Sequence, residues 1–330
     1  DGLRLTPMQW ASFVRLLGTT SVRRLEPPPE EARLHGRRHS RERDAQAIAY
    51  HYDLSNDFYR ILLGPSLTYS CAVWASPEVG LEAAQEAKLE LVCRKLGLTP
   101  DTRLLDVGCG WGSMVLHAAR HHGVRAVGVT LSRAQAELAS KRVAESGLSD
   151  LVEIRLQDYR DVTDGPYDAI SSIGMFEHVG LAMLETYFDR LHELLRPGGR
   201  LLNHGISRAP GGRARARPWS RSFIDSYVFP DGELHEVGSV ISTIQRRGFE
   251  ARHMESLREH YALTLRAWLA NLEGRWDEAV ALVGQARARV WRLFIAASAV
   301  RFEDDAVQVH QVLAVKTHDG ASGMPLRPTF

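Results

Sequence analysis

Cysteine is scarce in this sequence. Its 330 residues include three cysteines, Cys71, Cys93 and Cys109, and no two of them have the spacing of metal ligands. A small, odd number of thiols argues against a disulfide framework and against a zinc site, and suits a reducing compartment. We therefore expect a cytoplasmic protein without a metal.

Long apolar runs and an excess of charge are also missing. The longest apolar run that we find, Leu293 to Ala297, is far short of the roughly 18 residues that cross a bilayer. The formal net charge is only +1, so whole-chain charge gives no reason to expect nucleic acid as a partner. Hydrophobic residues make up 44% of the chain, which is enough for the core of a globular protein.

Four stretches of the chain differ in composition and periodicity. Residues 1–45 are Arg-rich and contain a run of three prolines, and residues 46–98 have the periodicity of a helical cap. Residues 99–206 alternate strands and helices, which predicts an α/β fold with a doubly wound parallel sheet. Residues 207–330 begin with a loop and continue as helices, with a last strand that we expect at the sheet edge.

Short apolar runs bounded by turn residues predict the strands. They are Arg103 to Val107, Ala126 to Thr130, Leu151 to Leu156, Tyr167 to Ile173, Arg200 to His204 and Val307 to Val315. Helical periodicity predicts helices over Arg133 to Ser146, Leu181 to Leu195, Tyr261 to Leu272 and Asp277 to Phe302.

A glycine-rich turn follows the first predicted strand. In Asp106-Val-Gly108-Cys-Gly110-Trp-Gly112 the glycines would let the backbone approach a ligand at a helix start with free N–H groups. The Gly-x-Gly-x-Gly spacing, with no acid about 20 residues further on, favours S-adenosylmethionine over a dinucleotide. A tight turn in any α/β protein remains the alternative.

Two segments at the ends of later strands extend this candidate site. A dinucleotide site would have an acidic residue after its second strand. This sequence has Thr130-Leu131-Ser-Arg-Ala-Gln135 there instead. Gln157-Asp158-Tyr159 closes the third predicted strand, where an acceptor would meet an adenine amino group, although Asp158 would also serve as a helix cap.

Read together, several segments resemble the cyclopropane fatty acid synthase and mycolic acid methyltransferase family over residues 46–316. These segments are His51-Tyr-Asp-Leu-Ser-Asn56, Leu67-Thr-Tyr-Ser-Cys71, Leu104 to Gly112, Gly174-Met-Phe-Glu-His-Val-Gly180, Tyr227 to Gly232 and His260 to Leu265. The resemblance implies a Rossmann-like class I S-adenosylmethionine methyltransferase, with a seven-stranded sheet and a helical cover. It also implies methyl transfer to the double bond of an unsaturated phospholipid acyl chain, which would occupy an apolar tunnel.

The resemblance further implies the residues of two sites. Those near S-adenosylmethionine are Tyr69, Ser70, Asp106, Gly108, Gly110, Gly112, Thr130, Leu131, Gln135, Gln157, Asp158 and Tyr159. Those around a bicarbonate ion, the expected base, are Cys71, Glu177, His204, Ile206 and Tyr261. Where many members have a cysteine in the late helix, this sequence has Ser298, which puts a covalent cysteine mechanism in doubt.

Within the family, four segments are most similar to actinobacterial enzymes that make 10-methylene acyl chains, the precursors of tuberculostearic-type acids. They are Arg38 to Asp44, Asn203 to Arg208, Phe223 to Leu234 and Gly323 to Pro328. This resemblance implies a flavin-dependent reductase as partner. Cyclopropanation of the same substrate, methylation of a small metabolite or protein, and an inactive lipid-binding scaffold are the alternatives.

Two basic segments suggest peripheral contact with the inner face of the membrane. The first runs from Arg33 to Arg43, and the second holds Arg213, Arg215, Arg217 and Arg221. Each basic residue near an anionic lipid surface contributes about 1 kcal/mol to binding. Solvated, mobile loops are the alternative interpretation.

Overall fold

The structure is a computed structural model that describes residue 28 and residues 30–52, 54–210 and 223–330. Residues 32–330 form one compact unit, and the elements below belong to that unit. Among the helices of the described ranges, none combines the length and the apolar character that crossing a bilayer requires.

Helices surround a central sheet on both faces. The helices are α1 (Arg41–Tyr52), α2 (Asn56–Leu63), α3 (Leu81–Leu96), α4 (Ser113–His122), α5 (Arg133–Glu145), α6 (Leu184–Leu194), α7 (Phe223–Tyr227), α8 (Val237–Arg246), α9 (Arg258–Gly274), α10 (Trp276–Val283) and α11 (Gln285–Glu303). Local signals explain several of their ends: the Ser55 hydroxyl caps α2, and Gly97 ends α3 in the left-handed conformation.

The described residues form one sheet of seven strands in the order β3-β2-β1-β4-β5-β7-β6. The strands are β1 (Arg103–Val107), β2 (Arg125–Thr130), β3 (Val152–Leu156), β4 (Tyr167–Ile173), β5 (Leu195–Arg208), β6 (Glu250–Ser256) and β7 (Val307–Val315). The first five strands run parallel, and β7 lies antiparallel to both of its neighbours. This confirms the predicted Rossmann-like methyltransferase fold with seven strands.

The expectation that the last strand forms the sheet edge is wrong. β7 lies between β5 and β6, and the edge belongs to β6, which the sequence analysis did not predict. All but one residue of β7 is buried, as in strands covered on both faces, whereas β6 reads Glu-Ala-Arg-His-Met-Glu-Ser and is only partly buried. A polar strand of this kind gives no apolar run to detect.

Two predicted elements have different limits in the structure. The single helix expected over Asp277 to Phe302 is divided at Gly284, whose φ of +80° ends α10 and precedes α11. The fifth strand, expected over Arg200 to His204, extends from Leu195 to Arg208. Leu195 pairs with Tyr167 of β4, and residues 200–208 pair with β7.

A helical cover lies over the carboxyl ends of the parallel strands. Helices α2, α9 and α11 share one buried cluster with β7, and rings of Trp268, Trp291 and Phe294 belong to it. Ligands of open α/β sheets bind at this edge, so the cover and the strand ends enclose the region in which the candidate site is found.

Candidate active site

The glycine-rich turn forms the floor of a pocket at the carboxyl end of β1. Gly108, Gly110 and Gly112 have φ values of +78°, +55° and +82°, which favour glycine strongly. A Cβ atom on Gly110 would point into space where the nearest described atom is Gln135 Nε2, at 3.9 Å. The turn therefore leaves room for a ligand to lie directly against the backbone.

One wall of this pocket presents hydrogen-bonding groups after β2. Thr130 Oγ1 donates to Gln135 Oε1 over 2.8 Å, so the amide nitrogen of Gln135 is turned toward the glycine turn. Ser132 caps α5 by accepting from the Gln135 backbone N–H at 3.2 Å. Leu131, Gln157 and Tyr159 complete this wall, and together these groups suit a ribose and an adenine ring.

The opposite end of the pocket contains a buried ammonium group that the sequence analysis missed. Lys88 on α3 donates from Nζ to Ser70 Oγ over 2.9 Å, beside Tyr69 and Asp106. Burial lowers the pKa of Lys88 to about 8. The Asp106 carboxylate accepts from Ser171 Oγ at 2.7 Å, and burial raises its pKa to about 6. A cation and an anion side by side match the carboxylate and ammonium of a methionine moiety.

Two residues predicted near the nucleotide make other contacts in the structure. A Cβ on Gly112 would lie 3.3 Å from Ala139 Cβ, so this glycine permits close packing of α4 against α5. Asp158 accepts from Arg160 N at 2.9 Å and from its guanidinium at 2.6 and 2.8 Å. Neither residue is among the described residues that line the pocket.

Glu177 is the buried carboxyl group beside the pocket. It follows β4 on a 3₁₀ turn, Phe176–His178, and its Oε1 accepts from Ile206 N at 2.7 Å. Its Oε2 is buried and has no hydrogen-bond partner among the described residues. Burial raises the pKa of Glu177 to about 7. A buried carboxyl with a vacant oxygen is the kind of group that binds or exchanges a proton at a reaction centre.

His204 is held by a chain of side chains that reaches from α3 to β7. Lys95 Nζ donates to Gln311 Oε1 over 2.7 Å, and Gln311 Nε2 lies 3.2 Å from His204 Nδ1. Because an ammonium only donates, the amide oxygen of Gln311 faces Lys95 and its NH₂ group donates to the imidazole. Burial and the charges of Lys88 and Lys95 hold the pKa of His204 well below its usual range. His204 is therefore neutral, with its proton on Nε2, which is buried without a described partner.

The three other residues predicted around bicarbonate lie near these groups. Cys71 Sγ contacts Leu257 O at 3.6 Å, and burial raises the pKa of this thiol, so it is neutral. Burial, together with the charges of Cys71 and Glu177, also raises the pKa of Tyr261. The amide of Ile206 is used to hold Glu177. Contacts and charges thus link Cys71, Glu177, Ile206 and Tyr261, and His204 lies two residues before Ile206 on β5.

Aromatic rings occupy the space between the cover and the pocket. Tyr69 has its ring centroid 5.2 Å from Trp268, and His51 lies 4.0 Å from Phe229. Tyr52 and His178 meet edge to face on the pocket wall, with ring centroids 6.2 Å apart. Burial lowers the pKa of His51 to about 3 and that of His178 to about 4. Both imidazoles are neutral, so the aromatic side chains beside the pocket carry no positive charge.

The basic segments are only partly described. In the first, Arg38 and Arg43 form ion pairs with Asp231, and Arg41 pairs with Asp161, so these side chains are engaged within the chain. In the second, Arg213, Arg215, Arg217 and Arg221 lie outside the described residues.

Comparison with known proteins shows the family to which the chain belongs. The family model described as mycolic acid cyclopropane synthetase matches residues 39–312. The chain belongs to this family. The matched range spans the glycine turn, Glu177, His204 and Tyr261. With its fold, this makes the chain an S-adenosylmethionine-dependent methyltransferase of the cyclopropane synthase family.

Two relatives in Mycobacterium tuberculosis illustrate the family. One, described as a "Probable fatty acid methyltransferase", is 50% identical over 325 residues, which cover 96% of this chain and 75% of the relative. The other, the tuberculostearic acid methyltransferase UfaA1, is 38% identical over 83% of this chain and 65% of the relative.

A solved structure of the family has the same architecture. The mycolic acid cyclopropane synthase CmaA1, crystallised with S-adenosylhomocysteine and CTAB, matches with a TM-score of 0.77 and 34% identity. The match covers 82% of this chain and 97% of CmaA1. The glycine turn with space above Gly110 fits S-adenosylmethionine in the present chain as well.

Proposed function

We propose that this family member transfers the methyl group of S-adenosylmethionine to the cis double bond of an oleoyl-type phospholipid acyl chain and releases a 10-methylene product. The observation that carries the proposal is Glu177, a buried carboxyl with one vacant oxygen beside an aromatic-walled nucleotide pocket. Such a wall excludes water. A weakly nucleophilic alkene reacts only where water is excluded. The fatty acid and tuberculostearic acid methyltransferases among the relatives support this substrate class.

The surroundings of Glu177 fit a bicarbonate ion. Glu177 Oε2 would accept the hydroxyl proton of the ion, and His204 Nε2–H would donate to one of its oxygens. When bound, bicarbonate supplies a base that removes the final proton from the substrate. The amide of Ile206 is already used by Glu177, so this residue acts through the carboxylate. Such an ion would pair two buried polar atoms that have no hydrogen-bond partner among the described residues.

The aromatic wall suits the charge that develops on the acyl chain. Attack of the alkene on the sulfonium methyl group forms one carbon–carbon bond, breaks the methyl–sulfur bond and leaves a carbocation on the chain. Ring faces attract cations by their quadrupole, and Tyr52 and Tyr69 line the pocket. The neutral states of His51 and His178 avoid repulsion of this cation.

Two products can follow from the same cation. A hydride shift to the cationic carbon, followed by loss of a proton from the new methyl group, gives the exocyclic methylene. Direct loss of that proton with ring closure gives a cyclopropane, the alternative that the likeness to a cyclopropane synthase favours. The tuberculostearic acid methyltransferase among the relatives, together with the four segments similar to 10-methylene-forming enzymes, supports the methylene product.

The chain from Lys95 to His204 yields a test of the anion site. In Gln311→Glu the new carboxylate would accept from both Lys95 and His204, so the imidazole proton would move to Nδ1 and Nε2 would lose its hydrogen. We expect turnover to fall about 10- to 100-fold, because this factor corresponds to the free energy of one hydrogen bond to a charged group. The affinity for S-adenosylmethionine should be unchanged. The nitrogen-15 shifts of His204 should report the tautomer change directly.

Gln308→Glu is the matched control for this variant. Gln308 lies on the same strand, where its amide donates to Asp305 Oδ1, and it should show wild-type turnover and an unchanged His204 tautomer. Wild-type turnover in Gln311→Glu, with the tautomer changed, would mean that His204 does not bind the base.

The substrate class can be tested with labelled methyl groups. Purified protein should transfer label from S-adenosylmethionine to vesicles of dioleoyl phospholipid and not to vesicles of diphytanoyl phospholipid, which are fluid but saturated. The label should reside in the released fatty acids. Equal labelling of both lipids, or label confined to the headgroup, would contradict methylation of a double bond.

A further inference from the structure

A cluster of potential metal ligands lies on the helices behind the pocket. Cys93 on α3 and His117 and His122 on α4 each offer a ligand atom, and these atoms all lie within 4.8 Å of one another. The carboxylate of Glu90, one turn before Cys93, has its Oε2 3.3 Å from His117 Nε2 and 2.9 Å from His122 Nε2. Four side chains of the types that bind transition metals thus converge between two helices.

The cluster is buried on one side and exposed to solvent on the other. Cys93 is fully buried in the core between α3 and α4, and His117 is buried beside it. His122 is half-buried, and the Glu90 side chain retains 37% of its exposure. An ion could therefore enter from solvent past Glu90 and reach the thiol at the back.

The distances are near those that tetrahedral coordination needs. Metal–nitrogen bonds of about 2.0 Å and a metal–sulfur bond of about 2.3 Å place neighbouring ligand atoms roughly 3.3 to 3.6 Å apart. Of the two oxygen–nitrogen distances, that to His117 (3.3 Å) has this value and that to His122 (2.9 Å) is shorter. Closing separations of up to 4.8 Å among Cys93, His117 and His122 requires about 1 Å of side-chain movement. A thiolate, two imidazoles and a carboxylate favour zinc over magnesium or calcium.

We propose that Cys93, His117, His122 and Glu90 form a binding site for a zinc-like divalent transition metal ion. Binding would release the thiol proton of Cys93 and join α3 to α4. The same two helices contribute Lys88 and Ser113 to the nucleotide pocket, so the ion would brace the pocket from behind without contacting its ligand. The inference is independent of the proposed methyl transfer.

The sequence analysis expected no metal because it considered only the spacing of cysteines. More than 20 residues separate the pair Glu90 and Cys93 from the pair His117 and His122, and packing of α3 against α4 brings the two pairs together. In the absence of an ion, Glu90 would simply bridge two histidines by hydrogen bonds, as the distances permit. Metal binding distinguishes the two interpretations.

The test uses reduced, tag-free protein stripped with a chelator and titrated with cobalt(II) in the absence of nucleotide and lipid. We expect one equivalent to bind, with ligand-field and thiolate-to-cobalt charge-transfer bands that zinc abolishes by displacement. Zinc at 100 times its dissociation constant should raise the Tm by about 4 °C.

Three variants decide the outcome. Cys93→Ser should lose the charge-transfer band, and Cys93→Ser and His122→Ala should each bind on the order of 100-fold more weakly. His122 is half-buried, so its replacement tests the site even if Cys93→Ser fails to fold. His318→Ala, at an exposed histidine outside the cluster, should bind as wild type. Failure of the wild type to bind cobalt, or equal binding by wild type and His122→Ala, would overturn the proposal.

Discussion

Glu177→Gln should lower turnover by about 10²–10⁴-fold, the usual loss when acid–base function is removed. Glutamine keeps the shape of the side chain, and its amide oxygen can still accept from Ile206 N, which lies 2.7 Å from Oε1. What it lacks is the charge on Oε2, the buried oxygen without a described partner. Affinity for S-adenosylmethionine should barely change, because Glu177 is not among the described residues that line the nucleotide pocket.

The same variant should be more stable than the wild type at alkaline pH. Burial raises the pKa of Glu177 from 4.5 to about 7, so the folded protein holds a proton that the unfolded chain has released. The wild type therefore loses stability as the pH rises from about 4.5 through 7, by about 3 kcal/mol at most. Glutamine has no such charge, so its advantage should be near zero at pH 4 and complete above pH 8.

Glu185→Gln is the control for both measurements. Glu185 is an exposed carboxylate that pairs with Arg246, and its replacement should leave turnover and nucleotide affinity as in the wild type. Denaturant unfolding at several pH values gives the stability, and calorimetry gives the nucleotide affinity. Near-normal turnover of folded, nucleotide-bound Glu177→Gln would remove the basis for a bicarbonate site.

Gly110→Val should weaken S-adenosylmethionine binding by more than about 100-fold, which corresponds to roughly 2.7 kcal/mol. The branched side chain would project from the floor of the pocket into space that the described atoms leave open. Isothermal titration calorimetry measures this directly.

The backbone strain of this variant needs a separate control, because Gly110 has a φ of +55° that valine adopts with difficulty. Gly147, at the far end of α5, has a φ of +66° and no neighbouring atom within 4 Å of a Cβ position. Gly147→Val should show a comparable loss of stability with unchanged nucleotide affinity. Wild-type affinity in Gly110→Val would place the nucleotide elsewhere.

The parallel part of the sheet was predictable because its strands are apolar runs that alternate with helices. Arg103 to Val107 and Tyr167 to Ile173 were predicted with the limits that the structure has. The antiparallel end was harder to predict. β6 is polar, and the position of β7 between β5 and β6 depends on long-range pairing that periodicity does not encode.

Some residues of the candidate site could be predicted from short sequence motifs, and others could not. The glycine turn and Glu177 lie in short motifs, so the sequence places them next to strand ends. Lys88, Lys95 and Gln311 have no motif of their own, and only the packing of α3 under the sheet brings the two lysines to Ser70 and Gln311. Their roles depend on contacts across 18 and 216 residues of sequence, which no local pattern predicts.

Carbon-13 NMR of the lipid product tests the central proposal most directly. The protein would be incubated with dioleoyl phospholipid vesicles and S-adenosylmethionine labelled with carbon-13 in its methyl group. The account predicts that the label appears as the terminal carbon of an exocyclic methylene group on the acyl chain. A label in a cyclopropane ring would contradict the methylene product, and a label on oxygen or nitrogen would contradict methyl transfer to the double bond itself.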